Sequence, residues 1–180
     1  MNTSNKFAVW ILGMGIIASA ITSCDKKTAN NDRQDSANNG KVKLSSEPLE
    51  PAFRHDGTLW VLNDADTTAL FRTEFAKSKT EITRGMMYRS TMDQDMAMLF
   101  FMPGGDRPQS FWMKNTIVPL DIIYINSDQE VVSIQANAEP YSERSLPSRQ
   151  PASYVLEIYG GEAAAQGIGI GSKVYWLDKK

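Results

Sequence analysis

The chain has 180 residues, a formal net charge of −2, one cysteine and one histidine. With no basic stripe, nucleic acid is excluded as an expected partner. A lone cysteine excludes a disulfide framework or cysteine-rich zinc site, and a lone histidine excludes a His-rich metal centre.

The first segment reads as a leader rather than as part of a fold. Lys6 supplies one positive charge, and Phe7 to Ala20 is a largely apolar stretch of 14 residues. That is short of the roughly 20 needed to span a bilayer and has the length of a signal-peptide core. Ile21-Thr22-Ser23-Cys24 follows at once and resembles the bacterial lipoprotein signal, in which cleavage precedes a cysteine lipidated on its sulfur and amine. The usual box has Leu three residues before the cysteine and Gly or Ala just before it, so Ile21 and Ser23 are looser matches. Residues 1–23 are expected to be removed. Cys24 then becomes the lipidation site, and the protein is anchored to a bacterial membrane, facing the periplasm or the exterior. Losing Lys6 moves the formal charge from −2 to −3.

Asp25 to Gly40, DKKTANNDRQDSANNG, holds no large apolar residue and cannot offset its own ordering entropy. Residues 24–51 are expected to be a flexible tether, and residues 52–180 a single domain. His55-Asp56-Gly57 reads as a turn.

The domain then reads as short strands. Leu59 to Leu62 is the first, followed by the polar turn Asn63 to Thr67. The next strand alternates, with Phe71, Thr73 and Phe75 on one face and Arg72 and Glu74 on the other. Ser78 and Glu81 have capping-box spacing, which predicts a short helix ending near Gly85. Seven of nine methionines fall between Met86 and Met113. Thioethers can select Cu(I), and Met92, Met96 and Met98 are the subset for such a role, but core filling is the expected one. Pro103 to Pro108 is a loop by composition, either a plain connection or a lid over the segment that follows.

Leu120 to Ile125 is a strand in which Ile122, Ile123, Tyr124 and Ile125 are apolar on both faces, so it belongs inside a sheet assembly. Ser127 to Glu130 is a turn and Val131 to Gln135 the returning strand. Tyr154 to Tyr159 is another strand, Glu162 to Gln166 a short helix with a glycine stop, and Val174 to Leu177 the last strand. This pattern predicts an all-β fold, a compact β-sandwich or barrel-like domain with one or two short helices.

Several stretches together resemble one family, domain of unknown function 192. Thr83 to Arg89 (TRGMMYR) is similar to its RxRGLMxR segment, Met98 to Phe101 to its GMLFxF, and Phe111 to Thr116 with Pro119 to Ile122 to its FWMKNTxxPLDI signature. Asn137 to Pro140 and Tyr154 to Glu157 complete the order. The resemblance covers about residues 58–178 and implies a small all-β fold. It implies no activity.

The signature carries the candidate site. Alternation places Phe111, Met113 and Asn115 on one side and Trp112, Lys114 and Thr116 on the other. Asp121 follows the Pro119 bend and is within plausible reach of Lys114. Trp112, Lys114, Asn115 and Asp121, with Arg84 and Arg89 from the earlier motif, are the expected ligand-binding residues. An apolar face beside a small polar set suits a pocket, and a carbohydrate or an envelope protein is the expected partner. The architectural alternative pairs these charges with one another and with backbone. A third reading is a hydrolase acting on a cell-envelope carbohydrate, with Asp121 as acid or base and Glu157 as its partner. Binding is favoured over catalysis, and no cofactor or metal is expected.

Overall fold

The computed structural model describes residues Glu50–Asn63 and Asp66–Lys179. All of them belong to one compact unit. The leader, Cys24 and nearly all of the tether lie outside the described residues.

Nine strands and two helices follow in the order β1 (Gly57–Asn63), β2 (Asp66–Ala76), α1 (Lys79–Arg84), β3 (Met96–Phe101), β4 (Ser110–Phe111), β5 (Leu120–Ile125), β6 (Val131–Ala138), β7 (Leu146–Pro147), β8 (Tyr154–Tyr159), α2 (Glu162–Ala165) and β9 (Lys173–Asp178). Seven strands form one sheet in the order β6-β5-β8-β3-β2-β1-β9, and β4 pairs with β7 in a small second sheet. Among the described residues only the β2–β3 pairing is parallel. A parallel pair needs a crossover, and α1 with the turn after it supplies one. The two outer strands meet at a corner. Val131 N donates to Ser172 O at 2.9 Å, and Gly171 N donates to Val131 O at 2.9 Å. The sheet therefore curls towards a barrel, as the all-β reading expects.

Strand parity divides the interior into two layers. Leu59, Val61, Phe71, Leu99, Ile123, Leu156 and Ile158 pack inside the curled sheet. Met98, Phe100, Ile122, Tyr124 and Val155, from the alternate positions, pack outside it under Met86, Met92, Met113 and Leu146. Strand β5 is buried at all six positions because both its faces are covered. It lies between β6 and β8, inside the sheet as its composition predicts. Met86, Met92, Met98 and Met113 fill the outer layer, with Met96 and Met102 packed against it.

The capping box is present in α1. The Ser78 side chain accepts from Glu81 N, the Glu81 carboxylate accepts from Ser78 N, and Gly85 ends the helix at φ 47°. Strand β3, at the centre of the sheet, is not singled out by periodicity because Met96–Phe101 is apolar throughout. The loop at 103–108 is tied down by Asp106, which accepts from Ser127 N and from the hydroxyls of Ser127 and Ser153. It is a braced connection.

Candidate functional site

The predicted residues separate into three places. The first is the signature segment. Strand β4 holds Phe111 against β7, and Phe111 and Met113 turn into the outer core layer. Trp112 turns outward and is 47% exposed. Lys114 Nζ stands 5.2 Å from the centre of the Trp112 ring and 3.4 Å from the Glu143 carboxylate. The expected pairing of Trp112 and Lys114 on one surface is present. The alternation then fails at a turn, where Thr116 N donates to Met113 O and Asn115 takes φ 56°. Thr116 is consequently buried rather than facing out with Lys114. Trp112, Phe111, Ser110, Ser145 and Glu143 line an open cavity of about 320 Å³.

The second place is Asp121, which is fully buried. One carboxylate oxygen accepts from Asn137 N at 2.7 Å. The other accepts from Gly161 N at 3.0 Å and Ala163 N at 2.8 Å. These last two amides belong to the start of α2, whose own N-cap is Gly161 and has no side chain to offer. Asp121 caps that helix from a neighbouring strand. This corrects the expectation that it serves a ligand or acts as an acid or base, since both of its oxygens are engaged by backbone amides.

The expected Asp121–Glu157 pair also fails, through register. Asp121 stands opposite Ile158, whereas Glu157 stands opposite Ile122. Directly opposed residues share a face and neighbours alternate, so the two carboxylates lie on opposite sides of the sheet. Nor does Asp121 meet Lys114, whose ion-pair partner is Glu143.

The third place is a cavity of about 310 Å³ between residues 51–54, α1 and the turn after it. Arg54, Arg84 and Arg89 line it with Glu74, Glu81 and Met98. Arg89 is 5% exposed and grips Glu74 with both terminal nitrogens at 2.8 Å. Arg54 is fixed as well. Its guanidinium donates to Glu81, Asp56 and the Phe75 carbonyl. Arg84, in the last turn of α1, makes no ion pair among the described residues.

Glu157 lies in the same row of side chains across the outer face, between Met98 and Ile122. Burial pushes its carboxyl up to about 8, against the pull of Arg89. Burial, and then Glu157, push the Tyr124 hydroxyl up as well.

Asn115 belongs to neither cavity. Its carbonyl accepts from Tyr88 N at 2.9 Å and its side-chain amide donates to Tyr88 Oη at 2.9 Å. It pins the signature turn to the turn that carries Arg89. Sequence reasoning missed Glu74 and Arg54. Glu74 sits on what alternation marks as the solvent face of β2, and the only signal for its burial would have been recognition of a second covering layer. His55, read as a turn residue, has Nδ1 2.9 Å from Lys179 Nζ and lines an open cavity of about 470 Å³ that shares Arg54 and Glu81 with the one at the third place.

A model of the DUF192 family, described as "Uncharacterized ACR", matches residues 61–176. A protein of unknown function from Novosphingobium aromaticivorans is similar in sequence and structure, at 39% identity and TM-score 0.63, over 66% of this chain and 84% of that one. A candidate transcription regulator from Sinorhizobium meliloti is similar at 32% identity and TM-score 0.64, over 72% of this chain and 98% of that one. No curated protein matches the chain.

Proposed function

Because the chain belongs to the DUF192 family, whose description assigns no activity, we propose a function from its own residues: a binding module, held at a bacterial membrane by lipid on Cys24, that takes a cell-envelope carbohydrate on the Trp112 face. The lipoprotein-like run ending at Cys24 and the apolar-poor stretch after it support the tethered arrangement.

One observation carries the binding site. Trp112 is a large aromatic that packs in neither core layer, and it walls a cavity of about 320 Å³ whose other residues are hydroxyl- or carboxylate-bearing apart from Phe111. An aromatic surface with a few convergent polar groups is the common composition of a small-molecule pocket. The ring offers apolar area to the CH face of a sugar, and Ser110, Ser145 and Glu143 offer partners for its hydroxyls. A catalytic role has no comparable support, since Asp121 and Glu157 stand on opposite faces of the sheet.

The test is a calorimetric titration of the full chain with soluble cell-wall oligosaccharides. Wild type is expected to bind saturably. Trp112→Ala, a surface change with little effect on folding, is expected to weaken binding at least tenfold. No saturable binding of any glycan by wild type would reject the carbohydrate reading in favour of an envelope protein partner, and equal binding by the variant would reject Trp112 as its site.

A further inference from the structure

A second cavity, sharing no lining residue with the Trp112 cavity, has a different chemistry. Its walls include Pro51, Ala52, Ala76 and Met98, and its charged rim holds three guanidiniums against two carboxylates. The two carboxylates are already committed. Glu74 is bound bidentately by Arg89 and accepts from Arg54 N at 2.8 Å. Glu81 serves the α1 capping box and Arg54. Arg54 is also paired with Asp56, so the charges balance over the group, and Arg84 is the one lining guanidinium that is exposed and has no ion-pair partner among the described residues.

Two buried polar atoms point the same way. Arg89 Nε is buried and donates to nothing, although Arg89 lines this cavity and also a smaller one of about 220 Å³ beside it. A buried unused donor on a charged group is costly, and an acceptor from the cavity would remove that cost once the side chains covering the atom shift aside. Glu157 Oε2 is likewise buried without a partner, 3.8 Å from where a Cβ on Gly85 would stand, and Gly85 lines the cavity. Burial pushes the Glu157 carboxyl up to about 8, which lessens the negative charge it places beside Arg89.

We infer that this cavity binds a small organic monocarboxylate, its head held by Arg84 and the free edge of Arg89 and its apolar body lying on Ala52, Ala76 and Met98. A carboxylate suits the site because guanidinium donors are planar and forked and match its two oxygens. A single negative charge would pair with the one guanidinium of the lining that has no ion-pair partner among the described residues. An apolar body suits walls that offer few further hydrogen-bonding groups.

The experiment titrates the full chain at pH 7 with benzoate and hexanoate, with benzyl alcohol as the body without the head, and with inorganic phosphate as an anion without the body. Benzoate or hexanoate is expected to bind saturably, and the other two at least tenfold more weakly. Arg84→Gln is expected to weaken carboxylate binding at least tenfold, and Arg84→Lys to restore part of it. Arg84 is exposed on the last turn of α1, so these variants fold. Trp112→Ala is expected to bind the carboxylates as wild type does, which separates this site from the carbohydrate site. The inference is overturned if neither carboxylate binds at millimolar concentration, if benzyl alcohol or phosphate binds as well, or if Arg84→Gln binds them unchanged.

Discussion

Asp121 interrupts an apolar strand because a neighbouring helix lacks a cap of its own. Helix α2 begins at Gly161, which has φ 92° and no side-chain acceptor, and it spans only Glu162–Ala165. Its first amides need acceptors, as those of any helix start do. The carboxylate of Asp121 supplies them from β5, and its second oxygen also holds Asn137 N. Asp121→Asn keeps the volume but leaves one acceptor oxygen where three N–H groups converge on two. Either the pair from α2 or the amide of Asn137 then faces an NH2 group. An unsatisfied buried donor costs about 1–3 kcal/mol, so the variant is expected to lose about 2–3 kcal/mol in urea unfolding. Glycan binding at Trp112 is expected to be unchanged at temperatures where the variant is folded. Wild-type stability in this variant would show that the three bonds contribute nothing.

At the scale of elements, the outer core layer depends on two turns that lock each other. Tyr88 and Asn115 both have positive φ, 65° and 56°, where side chains other than Gly and Asn are strained. Their reciprocal bonds join the turn bearing Arg89 to the turn bearing Lys114. Asn115→Gly removes only the side-chain bond to Tyr88 and is expected to cost about 1 kcal/mol. Asn115→Ala adds the left-handed strain and is expected to cost about 1 kcal/mol more. Equal unfolding midpoints for the two variants would contradict a strained backbone at this position.

The same elements show what the sequence made legible. The α1 capping box is readable because it is a fixed local spacing, Ser78 to Glu81. Strand β5 is readable because Ile122 to Ile125 are apolar on both faces, and all six of its positions are buried. Strand β3 is not, because a uniformly apolar run has no period to read and its parallel partner is set by a crossover. The site divides in the same way. Trp112 beside Lys114 follows from local alternation. The opposed faces of Asp121 and Glu157 depend on the register between β5 and β8, which no local pattern encodes. The burial of Glu74 and Arg89 depends on the layer folded over the sheet, which is just as remote from local sequence.

For the whole molecule, Glu157 is shifted up while Glu81 is shifted down together with Glu50, Asp95 and Asp106, and folding stability responds to pH in both directions. Glu81 falls to about 2 in the fold, from an ordinary 4.5, chiefly through the amide and hydroxyl of Ser78. Its contribution is fully present above 4.5 and is lost as pH falls towards 2. That contribution is modest, because the Glu81 side chain is 34% exposed and screened by water. Glu157 moves the other way, to about 8. Between 4.5 and 8 the folded protein keeps a proton that the unfolded chain has released. Stability therefore falls as pH rises through that window and levels off above it. A single group shifted this far contributes at most roughly 5 kcal/mol, the larger of the two effects because Glu157 is 4% exposed. Urea midpoints measured from pH 3 to 9 are expected to peak near pH 4.5–5 and to decline on the alkaline side. Glu157→Gln replaces the titrating acid with a neutral amide of the same shape. It is expected to flatten the alkaline limb and leave the acid limb in place. An alkaline limb of unchanged slope in that variant would assign the effect to other groups. A flattened limb would show that this protein retains a buried neutral acid beside Arg89, at a cost that appears only when the acid ionises.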